Sequence, residues 1–155
     1  MHWQWSPFDA LSLTDLYATM RLRQEVFVVE QDCPYLDADG EDPACLHLLG
    51  WDEDALVVYV RVFPPGVSTH PEAVIGRVVV HGARRSEGLG RAVMVEAHRR
   101  VAEAWSDPPI WLSAQAHLES WYGSLGYAVC GPGYDEDGIP HLPMRRPMGA
   151  LQERG

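Results

Sequence analysis

The sequence predicts an α+β domain over residues 1–155, a mixed sheet of six to seven strands flanked by helices. Three observations predict it. Strand-like runs outnumber helical ones. The middle runs follow one another across short turns, as hairpin strands do. Two helical stretches then interrupt the later strands, which a doubly wound parallel sheet would not pattern in this way.

The elements follow in order. "HWQW" is a short strand ended by Ser6 and Pro7. From Ser12, Leu13, Leu16, Tyr17, Met20 and Phe27 recur at helical steps, with Asp15 in the first turn, which predicts an amphipathic helix to about Glu30. "QDCPYLDADGEDPAC" is a loop by its Pro, Asp and Gly content. "LHLLGW" and "ALVVYVRVF" are strands joined across Asp52-Glu53-Asp54, and "AVIGRVVV" is a third, buried strand. Leu89, Ala92, Val93, Ala97, Val101 and Ala104 form one face of a helix ending near Trp105. "IWLSA" is a strand, "HLESWYGSLG" a short helix, and "YAVCG" and "HLPMRR" the last strands.

Composition narrows the chemistry. A length of 155 residues fits one core, and 46% hydrophobic residues fit a folded chain. The formal net charge of −10 disfavours nucleic acid or an anionic membrane as partner and suits a cationic acceptor. All twelve basic residues are arginines, so mechanisms that need a lysine are excluded. Cys33, Cys45 and Cys130 are too few and too scattered for a disulfide framework or a Cys-x-x-Cys metal site. The opening residues have neither the basic region nor the apolar run of a signal peptide, and no run is long enough for a membrane span. A cytoplasmic location is expected.

"RRSEGLGRAV", residues 84–93, carries the first chemical signal. A glycine turn that opens a helix offers free N–H groups and a helix dipole to an anion. A phosphate loop of the Walker type needs a lysine, and a dinucleotide fingerprint needs a small residue where Val93 stands and a ribose-binding acid about twenty positions on. Both fail. What remains is Arg85-x-x-Gly88-x-Gly90, with Arg84, Arg85 and Arg91 at a helix start, where the dipole disfavours cations and a bound anion would answer them. By itself the turn fits an anion site and an ordinary strand-to-helix connection equally well.

Arg85-x-x-Gly88-x-Gly90 after "VVVHGA" resembles the acyl-CoA pyrophosphate motif of the GNAT N-acetyltransferase superfamily. "IWLSAQAHLESWYGSLGY" resembles the second half of that pattern, with Tyr-x-x-x-Gly-aromatic at Tyr122 to Tyr127. "LRQEVFVVEQDCPY", "LSAQAHLESWYGSLGY" and "YDEDGIPHLPM" together resemble its ElaA-like branch. The resemblance implies the acyl-CoA N-acyltransferase (GNAT) fold, a curved sheet whose fourth and fifth strands splay apart. It implies acetyl-CoA as acyl donor, with the pantetheine arm beside Val78, Val79 and Val80. The diphosphate would rest on the backbone of Arg85, Ser86, Glu87, Gly88, Leu89, Gly90 and Arg91. His117 stands where many relatives place a cofactor-contacting asparagine; its ring could instead cap the short helix.

The implied reaction is direct attack of a neutral primary amine, of a small molecule or an exposed amino group, on the thioester. A β-bulge in the fourth strand would aim the N–H of Val79 or Val80 at the oxyanion. Tyr122 faces the leaving thiolate. A phenol near pKa 10 against a thiol near 8.5 makes full proton transfer uphill by roughly 2 kcal/mol, which favours Tyr122 as a hydrogen-bond donor. Glu30, His47, His81, His141 and a water chain all remain open as the base that deprotonates the amine. "DADGED" and "DEDG" lack calcium-loop spacing, so no metal is expected, though these acids could help hold a cationic acceptor. Two alternatives stand beside this reading. One is a longer-chain acyltransferase, because "RQEVF" resembles acyl-homoserine lactone synthases; the other is a catalytically silent acyl-CoA-binding module. Either a monomer or a homodimer is compatible with the sequence.

Overall fold

The computed structural model describes residues 1–150; residues 151–155 of the predicted domain lie outside the described residues. Eight strands form one sheet: β1 (His2–Pro7), β2 (Leu46–Asp52), β3 (Ala55–Phe63), β4 (Ala73–Val80), β5 (Ile110–Gln115), β6 (Ala128–Val129), β7 (Tyr134–Glu136) and β8 (Ile139–Arg146). Their spatial order is β1-β2-β3-β4-β5-β8-β6, with β7 paired to β8. Among the described residues only β4 and β5 are parallel; every other pair is antiparallel. The strand beyond the expected count is β7, a three-residue piece of "YDEDGIPH" folded back on β8 across Gly138, whose φ is +79°. So short a strand leaves no alternation to read.

Helix α1 (Leu13–Arg23) begins at Ser12, whose hydroxyl accepts from the N–H of Asp15 at 3.0 Å. It does not continue as an α-helix to Glu30. Gln24–Glu30 form wider π-type turns. Its buried face also differs from the one expected: Leu13 and Tyr17 are exposed, while Thr19, Leu22, Arg23 and Val26 are buried. A charged residue occupies the inner face because carboxylates meet it there. Arg23, fully buried, donates to Asp37 at 2.9 Å and to Asp42 at 2.7 Å.

Helices α2 (Leu89–Trp105) and α3 (Glu119–Gly123) cover the opposite face. There Val58, Val60, Val62, Ile75 and Leu112 meet Val93, Met94, Ala97 and Val101. On the α1 face Tyr59, Leu49 and Val79 meet Leu22 and Val26. β3 reads as a nearly continuous apolar run because both of its faces are covered. Each fully buried Val or Leu contributes about 1.5–3 kcal/mol relative to exposure. Among the described residues no helix is long and apolar enough to cross a membrane.

Candidate active site

The site begins where β4 and β5 part. They pair only at Ala73–Ile110 and Val74–Trp111, and beyond Val74 β4 has no partner in β5. A groove of about 840 Å³ opens there, lined by Val78 on one side and by Ser113, Gln115, His117 and Tyr122 on the other. One edge of β4 thus offers unpaired backbone groups to an extended ligand.

β4 carries a bulge beside this opening. Tyr59 faces Val79 and Arg61 faces Gly76, so Val60 alone opposes Arg77 and Val78. Arg77 takes φ +52°, a left-handed conformation that costs a non-glycine residue about 1–2 kcal/mol. Its side chain offsets that cost: the guanidinium lies 2.9 Å from Asp37 and 5.6 Å from the Tyr35 ring centre. The bulge therefore sits before Val79 and Val80, and of Val78, Val79 and Val80 only Val78 lines the groove. Val79 packs under α1 instead.

At the end of β4, the turn into α2 is shaped as an anion cradle. Ser86 has φ +70° and Gly88 has φ +78°. Left-handed residues within a turn point successive N–H groups into one concavity. Among the described residues none accepts a hydrogen bond from the backbone N–H groups of residues 85–91. A Cβ on Gly88 would meet nothing within 4 Å, so glycine is required there for its backbone and not for space. Leu89 packs against the main core and Gly90 lies under Trp121, which anchor the turn from below.

The arginines of this turn are not waiting for an anion, contrary to the expectation from their position. Arg84 donates to Glu87 at 2.9 Å and to Asp52 at 2.7 Å. Arg85 forms a two-pronged pair with Glu30. Among the described residues Arg91 has only the Ser124 hydroxyl, at 3.1 Å. Carboxylates brought in from distant parts of the chain settle the charge conflict, and the case for an anion moves to the N–H cradle and Arg91.

Tyr122 enters the groove from α3. It is 7% exposed, its ring edge-on to Trp121 at 4.9 Å and to Tyr127 at 6.0 Å. Burial pushes its phenol up to about 12, and among the described residues no charge or hydrogen bond counters it. His117 does not cap the short helix: the residue at the α3 cap position is Leu118, without a side-chain cap among the described residues, and His117 lines the groove.

The four candidate bases separate sharply. Hydrogen bonding to Arg85 holds the Glu30 carboxyl below its ordinary range, which suits an ion pair and not a proton acceptor. His47 is fully buried between the Tyr59 hydroxyl, 2.6 Å away, and the Asp42 carbonyl, 2.9 Å away, and does not line the groove. His81 accepts from the N–H of Ala83 at 3.1 Å and caps the turn after β4, also outside the groove lining. His141 lines the groove.

The acidic loop is committed elsewhere. Asp37, Asp39 and Asp42 pair with Arg23, Arg61 and Arg77 in one largely buried network, so "DADGED" holds the fold and leaves mainly Glu41 to the groove. The groove wall also contains His70 stacked on Trp111, with ring centres 3.8 Å apart, and Glu136 with Asp137 from the β7–β8 turn. Glu136 and Asp137 belong to the "DEDG" turn whose acids were expected to help hold a cationic acceptor, whereas His70 and Trp111 were not singled out from the sequence. Glu136 stands in a stretch that reads as turn chemistry, and the His70–Trp111 stack joins residues with no local pattern between them.

A splayed pair of parallel strands, a bulge on the first and an N–H cradle at its end define a GNAT acyltransferase. The chain belongs to that family: residues 26–147 match the family model for the acetyltransferase (GNAT) domain. It is an ElaA-like member. It is 43% identical over 148 residues to protein ElaA of Escherichia coli strain K12, covering 94% of this chain and 96% of that protein. The crystal structure of Escherichia coli ElaA superposes with a TM-score of 0.86, at 42% identity over 94% of this chain and 98% of that one. An acyl-CoA N-acyltransferase from Pseudomonas aeruginosa superposes with a TM-score of 0.89, at 43% identity over 94% of this chain and 99% of that one. An aminoglycoside 6'-N-acetyltransferase complexed with coenzyme A shares the fold at 18% identity and a TM-score of 0.69, covering 92% of this chain and 96% of that one.

Proposed function

We propose that this chain is an acetyl-CoA-dependent N-acetyltransferase acting on a primary amine, carried by a small molecule or an exposed amino group. The observation that carries the reading is the continuity of three features: the unpaired edge of β4, the N–H cradle of residues 85–91 and the Tyr122 hydroxyl. The cradle suits a diphosphate, and the open edge suits an amide-bearing arm that pairs with backbone. A thioester would then lie beside Tyr122.

Each residue has a defined task. N–H groups following the bulge, in the segment Val78 to Val80, donate to the oxyanion; such a donor contributes about 2.7–4 kcal/mol in comparable sites. Tyr122 donates to the departing thiolate. With its phenol near 12 and a thiol near 8.5, full proton transfer would be uphill by about 5 kcal/mol, so the hydroxyl keeps its proton. His117, which lines the groove, is assigned to contact the arm of the donor.

The test is release of free thiol from acetyl-CoA over alkylamines, polyamines, amino sugars and peptides with free N-termini. Acceptor-dependent release supports the reading. Acetyl-CoA binding with no release on any acceptor would favour a silent acyl-CoA-binding module.

A further inference from the structure

We infer that His141, held by Glu136, is the general base that takes the proton from the acceptor ammonium, and that the two together form the cation seat of the groove. The inference rests on the acetyltransferase reading and adds the residue pair that reading lacks.

His141 lies on β8, paired in register with Gln115 of β5, the strand that splays from β4. Its Nδ1 is 2.7 Å from the carbonyl of Ile139. A carbonyl oxygen only accepts, so Nδ1 carries hydrogen in either charge state of the ring. The lone pair of the neutral ring is therefore on Nε2. Nε2 lies 3.2 Å from a carboxylate oxygen of Glu136, which when ionised also only accepts. A proton delivered to Nε2 is therefore held between the ring and the Glu136 carboxylate, so this contact is a built place for one incoming proton.

The ring is held in three directions. Ile139 fixes one edge, Glu136 faces the other, and the Tyr134 ring stacks on it, with centres 6.2 Å apart and planes 14° apart. Tyr134 is itself tied to Ser113 through its hydroxyl. His141 is 8% exposed, whereas the Glu136 side chain is 53% exposed and can turn toward an incoming ammonium. Tyr134 stacks on the ring, and the titratable groups that line the groove with it include Cys33, His70, His117, Tyr122 and Asp137, with the carboxylates Glu30, Asp39 and Glu41 and the guanidiniums Arg61, Arg77 and Arg85. Cys33 reaches the Asp137 carbonyl at 3.7 Å, which ties the acidic loop to the turn bearing Glu136.

The proton balance is complete. The ammonium gives one proton to Nε2, and Glu136 stabilises the resulting imidazolium. The free amine nitrogen bonds to the thioester carbon, and the carbon–sulfur bond breaks. The remaining nitrogen-bound proton that must leave passes to the thiolate, which forms free thiol. The imidazolium returns its proton to water.

The test uses the full chain with His141→Gln and Glu136→Gln and the panel of primary amines above. Thermal stabilisation by acetyl-CoA, unchanged in both variants, shows that they fold and bind the donor. Failure of the wild type to respond would count against the acetyltransferase reading itself. With an alkylamine at pH 7, His141→Gln loses about 10²–10⁴-fold in kcat/KM. The defect shrinks as pH approaches the amine's own pKa near 10.4, where free amine is abundant. Glu136→Gln raises KM for the amine. In the ¹⁵N spectrum of histidine-labelled wild type, the Nδ1-protonated ring of His141 shifts on adding the amine. A variant rate within threefold of wild type, a defect independent of pH, or no ring shift with any amine in the panel overturns the proposal.

Discussion

Arg85 grips Glu30 with both arms of its guanidinium, joining the end of the first helical segment to the turn that opens α2 across 55 residues of sequence. The pair sits on the groove wall. It takes a carboxylate that sequence position alone would admit as a base and ties it to the turn that opens α2.

Glu30→Gln is therefore expected to change turnover by less than about tenfold, against the 10²–10⁴-fold loss typical of a removed base. Both side chains are more than 40% exposed, so the cost to stability should stay within about 1 kcal/mol. Thiol release and urea unfolding measure the two effects.

Tyr122→Phe should keep acetyl-CoA binding and lose turnover by about 10²-fold, the effect of removing one well-placed donor to developing negative charge. Binding is read by thermal shift and turnover by thiol release. Unchanged turnover would take Tyr122 out of the mechanism.

The buried network predicts an acid limit. Burial alone would raise the Asp42 carboxyl, but hydrogen bonds and charges from Arg23 and Arg61 more than offset this and hold it below its ordinary value. A depressed carboxyl stabilises the fold above the unfolded value near 3.9, and the contribution is lost as pH falls through the lower, folded value. Asp42→Asn leaves the fully buried Arg23 short of a partner and should cost about 3–5 kcal/mol at pH 7. The gap between variant and wild type in urea unfolding should narrow below about pH 4.

Gly88→Ala places a Cβ in open space but in a left-handed backbone. It should cost about 1–2 kcal/mol in stability and weaken acetyl-CoA binding, as the turn relaxes away from its cradle shape. Calorimetric titration against wild type checks the second effect.

Local pattern made much of the fold legible. The hairpin of β2 and β3 shows in two apolar runs joined across the short acidic turn, α2 in its spacing, and the cradle in Gly88 and Gly90. Tyr122 came from a motif and does line the groove. What local pattern does not carry is pairing between distant residues. Arg84 meets Asp52 and Arg85 meets Glu30 only in three dimensions, so these arginines read as unanswered charge. Leu13 and Tyr17 have helical spacing yet face outward, because Arg23 and its two aspartates claim the inner side. The bulge in the fourth strand was implied by the family resemblance alone; its position at Arg77 had no local signal, since a left-handed position usually shows itself as glycine.

The central claim is that the parting of β4 and β5 and the turn after them bind acetyl-CoA. The most direct measurement is the melting temperature of the folded chain against increasing acetyl-CoA, with ATP and NAD as controls. The account predicts a rise that follows RT ln(1 + [L]/Kd) for acetyl-CoA and none for the controls. No rise at millimolar acetyl-CoA, or an equal rise with ATP, would contradict it.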